Sequence, residues 1–490
     1  MKLRRLVHRY FVTLFLLLSP SLVLPIYGTN AAAEVPGRNG QHQARQVVDI
    51  VVRGGIVVTM DSINRIIPHG AVAVAGARIV GVGRESEIES SFTAPRTIDA
   101  RGGIIMPGLI NAHTHSPMVL FRGIADDLLL SDWLNKYIFP AEAKNVDDDF
   151  VRWGMRLSCL EMLLGGTTTF VDMYYFEDAI AEETEKAGMR AILGETLIDF
   201  PAPDNKTWNA ATTSAEKFVE RWKGNALITP AVAPHSAYTV STDHLKESHS
   251  LSVRHNAPLL IHLAEDPYEV KTVRERFGSS SVAYLEQLEL LDGNVIAAHV
   301  VYPTDEDIAT LQRRGVGIAH CPQSNMKIAA GVAPVPTMLK AGLAVGLGTD
   351  GAASNNDLSM WEEMDTAAKL HKLISGDPTV LPARQTVAMA TIGGARAIHK
   401  EKEIGSIVPG KFADLIIVSV DAPHQTPMYD VFSTLVYSTK ASDVQTVIIN
   451  GCVVMLDRHV LTIDEKSARS KAVEYRDRIL KTLTPARETK

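Results

Sequence analysis

Hydrophobic and polar positions follow different rules at the ends of the chain and in its middle. Residues 48–108 hold β-branched runs broken by glycine, "VDIVVRGGIVVTMD" and "GAVAVAGARIVGVG", the pattern of strands joined by tight turns. The same pattern returns near the far end in "KFADLIIVSV" and "VQTVIINGCVVML". Between them, apolar runs of strand length alternate with stretches at helical spacing. Eight strands are predicted: "IIMPGLINAHTH", "TTTFVDMYY", "RAILGETL", "ITPAVAPHSAY", "LLIHLAED", "NVIAAHVV", "VGIAHCPQSN" and "AVGLGTDG". Helical stretches such as "DDFVRWGMRLSCLEMLLGG" and "EDAIAEETEKAG" separate them. This alternation predicts an α/β chain with a (β/α)8 TIM barrel over residues 109–401. A doubly wound open sheet shares the alternation, but no GxGxxG opens a helix after a strand here.

The end segments, 48–108 and 402–463, are each too short to bury an apolar face alone. They are expected to combine into one small β-sandwich. Residues 464–490, containing "DEKSARSKAVEYRDRILKTL", read as a surface helix and tail.

The first 47 residues stand outside this scheme. A basic start, "MKLRRLVHRY", precedes the apolar "FVTLFLLLSPSLVLP" and small residues at Ala31 and Ala33, the order of a secretory signal peptide over residues 1–33. Residues 34–47 read as a linker. Pro20 and Pro25 shorten the apolar run below the roughly 20 residues of a spanning helix. The expectation is export to the periplasm or beyond, with an uncleaved N-terminal membrane anchor as the alternative. Once the signal is cleaved, nothing downstream is apolar enough for stable membrane insertion.

Composition narrows the function classes. With 49 basic and 56 acidic side chains among 490 residues, no basic excess points to nucleic acid. Cys159, Cys321 and Cys452 are odd in number and form no CxxC, which sets aside a disulfide framework and a thiolate metal site.

The chemistry gathers at predicted strand ends, where barrel enzymes place their sites. The first strand ends in His113 and His115, the fourth in His235, and the fifth in His262 with Glu265 three residues on. The sixth ends in His299, the seventh near His320, Ser324 and Asn325, and the eighth in Asp350. A lone strand-end histidine is ordinarily a hydrogen-bonded structural residue, and His320 is read so. Coincidence at several ends is what matters. Period-two alternation puts His113 and His115 on one side of their strand. Imidazoles with a carboxylate suit Zn²⁺, and also Fe²⁺ or Mn²⁺. Three histidines and one aspartate leave room for a water, which a metal can activate near neutral pH. No lysine closes the fourth strand to bridge two metals through a carboxylated side chain, so one ion is expected.

The motifs "PGLINAHTHSP", "FPAEA", "GTTTFVDMY", "APHSAYT", "IHLAED", "HCPQSNMKIAAG" and "GTDGAASNN" occur in this order. From about Val48 to about Leu456 the chain resembles the amidohydrolase superfamily, within it the 5-methylthioadenosine/S-adenosylhomocysteine deaminases. The resemblance implies that His113, His115, His262 and Asp350 hold the metal. It implies that Glu265 shuttles a proton to the ring nitrogen beside the attacked carbon, that Asp350 also accepts the proton of the metal-bound water, and that His299 orients the attacking oxygen. It further implies that Glu142 binds ribose hydroxyls and His235 contacts an adenine nucleoside. Trp133 is expected to wall the base pocket or to anchor a loop. A homo-oligomer is compatible with this reading.

Two features depart from that family. Relatives that bind the amino-acid tail of S-adenosylhomocysteine use arginine after the third strand, whereas between Leu197 and Phe218 this chain has only Lys206 and Lys217. The family is also usually cytosolic. Two competing readings stay open: the same site acting on another ring (chlorotriazine, guanine or pterin), and a metal-binding scaffold without catalysis.

Overall fold

Parallel strands covered on both faces need apolar residues at nearly every position, because helices pack outside and side chains fill the inside. The eight predicted runs meet that need. In the computed structural model, which describes residues 44–128 and 132–483, they form eight parallel strands in sequence order. These are Leu109–Thr114, Thr167–Tyr174, Arg190–Leu197, Ile228–Pro234, Leu259–Leu263, Val295–His299, Gly317–His320 and Ala344–Leu347. The segment read as a signal peptide, and most of that read as a linker, lie outside the described residues. Inward side chains including Ile110, Val171, Ile192, Ala231, Leu260 and Ile296 share one interior cluster. The short helix Ile392–Ala397 joins that cluster from below through Ala395. It packs so closely that a Cβ on Gly317 would overlap the Ala397 carbonyl oxygen. Gly317→Ala is therefore expected to destabilise the protein by about 3 kcal/mol through overpacking against backbone. Chemical denaturation reads this, and an unchanged midpoint would contradict it.

The first run differs from its prediction. "IIMPGLINAHTH" is two strands in two sheets, Ile104–Pro107 and Leu109–Thr114. They part at Gly108, where a Cβ would overlap the Thr168 side chain. The last and first barrel strands meet through side chains. Asn111 Nδ2 donates to Thr349 Oγ1 at 2.7 Å, and Asn111 Oδ1 accepts from Thr349 N at 3.0 Å. One residue further, Asp350 N donates to the His113 carbonyl at 3.0 Å. This seam sets Asp350 beside His113.

Strands from both chain ends form one nine-stranded sheet. Ile104–Pro107 joins the two halves, running antiparallel to Leu415–Val418 and parallel to Ile50–Val58. Strand alternation gives this sheet two apolar faces. Val57, Ile105, Leu415, Ile417 and Ile448 pack on one side into the sheet's own core. Val58, Ile104, Met106, Ile416, Val418, Val447 and Ile449 pack on the other into the large core shared with the barrel's helices. With both faces buried, the sheet and barrel are one compact unit from Arg45 onward. Gln46–Val47, read as the end of a linker, already pairs with Phe92–Thr93.

The C-terminal helix, Glu465–Thr482, also does more than cover the surface. It buries Ala468, Tyr475 and Ile479. Tyr475 donates to Asp149 Oδ2 at 2.7 Å, and Arg478 pairs with Asp147 at 2.9 Å.

Candidate metal centre and cavity

The first barrel strand carries two histidines but does not alternate regularly. Its register against Thr167–Tyr174 slips by one residue between Asn111 and Thr114. Ile110 and Ala112 face the interior cluster, and the slip lets His113 and His115 aim at the mouth as well. Asp172, fully buried, fixes the turn: Thr114 Oγ1 donates to its Oδ1 at 2.7 Å and Ser116 N at 2.5 Å.

Nitrogens of His113, His115 and His262 all lie within 4.8 Å of one another. His115 Nδ1 donates to the Met173 carbonyl at 2.5 Å, and His262 Nδ1 to the His235 carbonyl at 2.9 Å. A carbonyl only accepts, so each ring carries its proton on Nδ1 and turns a lone pair outward from Nε2. These two Nε2 atoms face each other at 3.2 Å. Such lone pairs repel unless a cation lies between them. Two nitrogens bound tetrahedrally to one ion at about 2.0–2.1 Å stand roughly 3.3 Å apart, so the spacing fits a shared metal. His113 Nε2 is buried with no partner. It lies 3.6 Å from Asp350 Oδ1, and His115 Nε2 lies 3.4 Å from the same oxygen. Burial lowers His113 to about 4 and His262 well below the usual imidazole value, which keeps both neutral, the ligating form.

Asp350 sits at positive φ, 62°, as do His299 at 71° and Ala264 at 49°. Strained backbone of this kind concentrates where side chains must be aimed. Asp350 Oδ2 accepts from Ser324 Oγ at 2.6 Å and Ser354 Oγ at 3.0 Å, leaving Oδ1 toward the histidines. Burial alone would raise its carboxyl. The adjacent imidazoles of His113, then His115 and His299, outweigh that and hold it well below the carboxylate range.

Glu265 follows the fifth strand. Its backbone N–H and that of Ala264 donate to the two oxygens of buried Glu269, at 2.9 and 2.7 Å. Glu265 Oε1 lies 3.6 Å from His299 Nε2, whose other nitrogen, Nδ1, is 2.9 Å from Asn325 Oδ1. Burial, then the charges of Asp350, Asp266 and Glu269, push the Glu265 carboxyl well above its ordinary value. Its surroundings thus favour the protonated form.

These groups open into a cavity that is continuous with solvent. Trp133, Glu142 and His235 line it, and so do His115, His262, Glu265, His299 and Asp350. The structure brings all the sequence-derived candidates together, with His113 behind the lining. Trp133 walls the cavity from a π-helical turn, Trp133–Ile138, which continues into the helix Phe139–Asn145 bearing Glu142. Glu142 is buried, accepts from the Tyr174 hydroxyl at 2.8 Å, and is raised by that burial to about 7. His235 Nδ1 lies 3.0 Å from Thr239 Oγ1. His320 stands apart, fully buried, with its Nε2 at 3.1 Å from that of His371.

Sequence reasoning missed Tyr174, Tyr175, Tyr238 and Thr196 in the lining, and Glu269, Ser354 and Asp172 as supports. Tyr174 stands at the C-terminal end of the second predicted strand, and that position was the available signal. Ser324 and Asn325 stood at a strand end without a role, and here they hold Asp350 and His299.

The sequence pattern of the amidohydrolase family matches residues 104–454. The chain is 45% identical over 436 residues to the 5-methylthioadenosine/S-adenosylhomocysteine deaminase 1 of Syntrophus aciditrophicus, covering 89% of this chain and 98% of that one. It is 42% identical over 433 residues to the 5'-deoxyadenosine deaminase of Methanosarcina mazei, covering 87% and 97%. A crystal structure of an adenosine deaminase from Xanthomonas campestris with bound zinc superposes with a TM-score of 0.88 at 36% identity, covering 89% of this chain and all of that one.

Proposed function

The chain belongs to the amidohydrolase family, and from that premise we propose that it is a metal-dependent hydrolytic deaminase of adenine nucleosides. It replaces the 6-amino group by oxygen and releases ammonia. The observation that carries this reading is Glu142 with its Tyr174 partner, facing the same cavity as Glu265 and the histidine cluster. A buried carboxylate lining the same cavity as the reacting groups suits a ribose diol. The names of the relatives above agree with it.

His113, His115, His262 and Asp350 would hold one divalent ion, in our reading Zn²⁺. When bound, such an ion supplies Lewis-acid activation of water. The protein's own groups do the rest. The oxygen of water bonds to C6 and the C6–N6 bond breaks. Asp350 takes one proton from the attacking oxygen and passes it to the departing nitrogen, and the oxygen's second proton goes to Glu265 as the C6 carbonyl forms, restoring the proton that Glu265 gives to the ring. Glu265, protonated through its raised pKa, donates to the ring nitrogen beside C6, and His299 Nε2 orients the attacking oxygen. Glu142 Oε2, left free by Tyr174, accepts from ribose hydroxyls, and Trp133 and His235 confine the base.

Ammonia release and loss of the adenine absorbance on addition of 5-methylthioadenosine test the proposal. Silence of metal-loaded protein toward a panel of adenine nucleosides would sink it. Glu142 separates this reading from hydrolysis of a bare ring. Glu142→Ala is expected to raise KM for a ribosylated substrate at least tenfold and to leave a bare heterocycle unaffected. The pH dependence has a definite sign. With a raised pKa of about 7, Glu142 of the free protein takes up a proton as pH falls through 7, so KM for the nucleoside should rise below neutrality. A KM flat from pH 5.5 to 8 would contradict the ionised carboxylate as the diol acceptor.

The order of charged, apolar and small residues over 1–33 supports export, and we extend the proposal to a periplasmic or secreted enzyme. Cell fractionation tests it, and recovery of uncleaved protein in the cytosol would count against it.

A further inference from the structure

Among the described residues lining the cavity there is no lysine or arginine, whereas Glu142, Glu265 and Asp350 all line it. The cations nearby by sequence or contact are engaged elsewhere. Lys206, in the loop after the third strand, turns its Nζ back onto the Ala202 and Pro203 carbonyls at 2.7 and 3.0 Å. Arg276 touches a lining residue only from behind, donating to the Tyr238 carbonyl at 3.1 Å from an exposed position. Backbone donors are no substitute. The helix Phe139–Asn145 continues from the turn before it and presents no free N-terminus, and Gly351 N already serves Asp350 at 2.7 Å.

Behind lining residues Thr196 and Tyr175 lies a further acidic group. Glu195 accepts from Glu177 N and from Asn205 Nδ2, both at 3.1 Å, and Asp204 accepts from Phe176 N at 2.9 Å. Glu177 keeps one buried oxygen with no partner. Burial pushes both Glu177 and Glu195 well above the ordinary carboxyl range.

We infer that this site selects adenosines whose 5' substituent carries no carboxylate, and discriminates against the amino-acid tail of S-adenosylhomocysteine. The inference rests on the deaminase reading above and sharpens it. A carboxylate on the 5' substituent would lose water and meet no lysine or arginine, the metal being taken up at the purine end in the deaminase reading above. A methylthio, methyl or hydroxymethyl end meets none of these penalties, since Leu134, Ile138, Phe139 and Met118 offer apolar surface.

The test compares kcat/KM of the metal-loaded full chain for three 5'-thioadenosines: the 5'-methylthio compound, S-adenosylhomocysteine, and 5'-(3-aminopropyl)thioadenosine, which is the homocysteine adduct without its carboxylate. The methylthio and aminopropyl compounds should agree within about threefold, and S-adenosylhomocysteine should fall at least tenfold lower, chiefly through KM. S-adenosylhomocysteine within threefold of the methylthio compound would overturn the inference and leave the deaminase standing. An equal loss for both long tails would also overturn it, showing that length decides. No turnover of the methylthio compound would remove the deaminase reading, and this inference with it.

Discussion

Glu265→Gln is expected to lower kcat by about 10³-fold, within the usual contribution of a positioned proton donor, while metal content and KM stay close to wild type. The substitution keeps the size of the side chain and the backbone bonds to Glu269, which come from main-chain N–H groups. It removes only the carboxyl proton that burial makes available. The measurement is steady-state ammonia release beside metal analysis of the same preparation. This variant also separates an enzyme from a metal-binding scaffold. A scaffold has no use for a buried protonated carboxyl beside its ligands, so unchanged turnover in Glu265→Gln would remove the catalytic role given to it.

The second large effect concerns the metal itself. Without a cation, two Nε2 lone pairs face each other at 3.2 Å and the His113 Nε2 lacks any partner. Chelation should therefore abolish turnover and lower the melting temperature together, and Zn²⁺ should restore both. At a thousandfold excess over Kd, a bound ion stabilises the folded state by about 4 kcal/mol. His262→Ala should lose bound metal, reduce turnover to background, and make the melting temperature indifferent to chelator. A variant that keeps stoichiometric metal and activity would show that His262 is not a ligand.

Much of this arrangement was legible because barrel strands are simple in sequence. Each carries an unbroken apolar run, and a polar residue just after it stands out, as His235, His262 and His299 do. What stayed hidden has physical reasons. The break at Gly108 was invisible because the apolar run continues across it, from Ile104–Pro107 into Leu109 and Ile110, both strands being fully buried though in different sheets. Alternation alone would turn His113 away from the side that Ile110 and Ala112 face, and only the register slip, one extra residue of this strand against its partner, corrects this. Tyr174 and Glu142 lie 32 positions apart, and no local pattern announces that their side chains meet. Glu269 reads as an ordinary residue in the first turn of a helix, because its task, gripping the main chain of Ala264 and Glu265, leaves no mark on residue type. The C-terminal helix looked superficial since its polar residues outnumber its three buried ones.

The two-faced sheet bears on how the chain is made. Ile104–Pro107 emerges from the ribosome about 300 residues before Leu415–Val418, the strand it pairs with. At ordinary synthesis rates of 5–20 residues per second that interval is roughly 15–60 s. Throughout it, the early strands hold an unpaired edge, and an apolar face whose partners Leu415, Ile417 and Ile448 are not yet made, a hazard for sticking to other chains. The early strands therefore depend on the last hundred residues for their missing partners. Joining the first and last strands in one sheet makes completion of the chain the event that locks the fold.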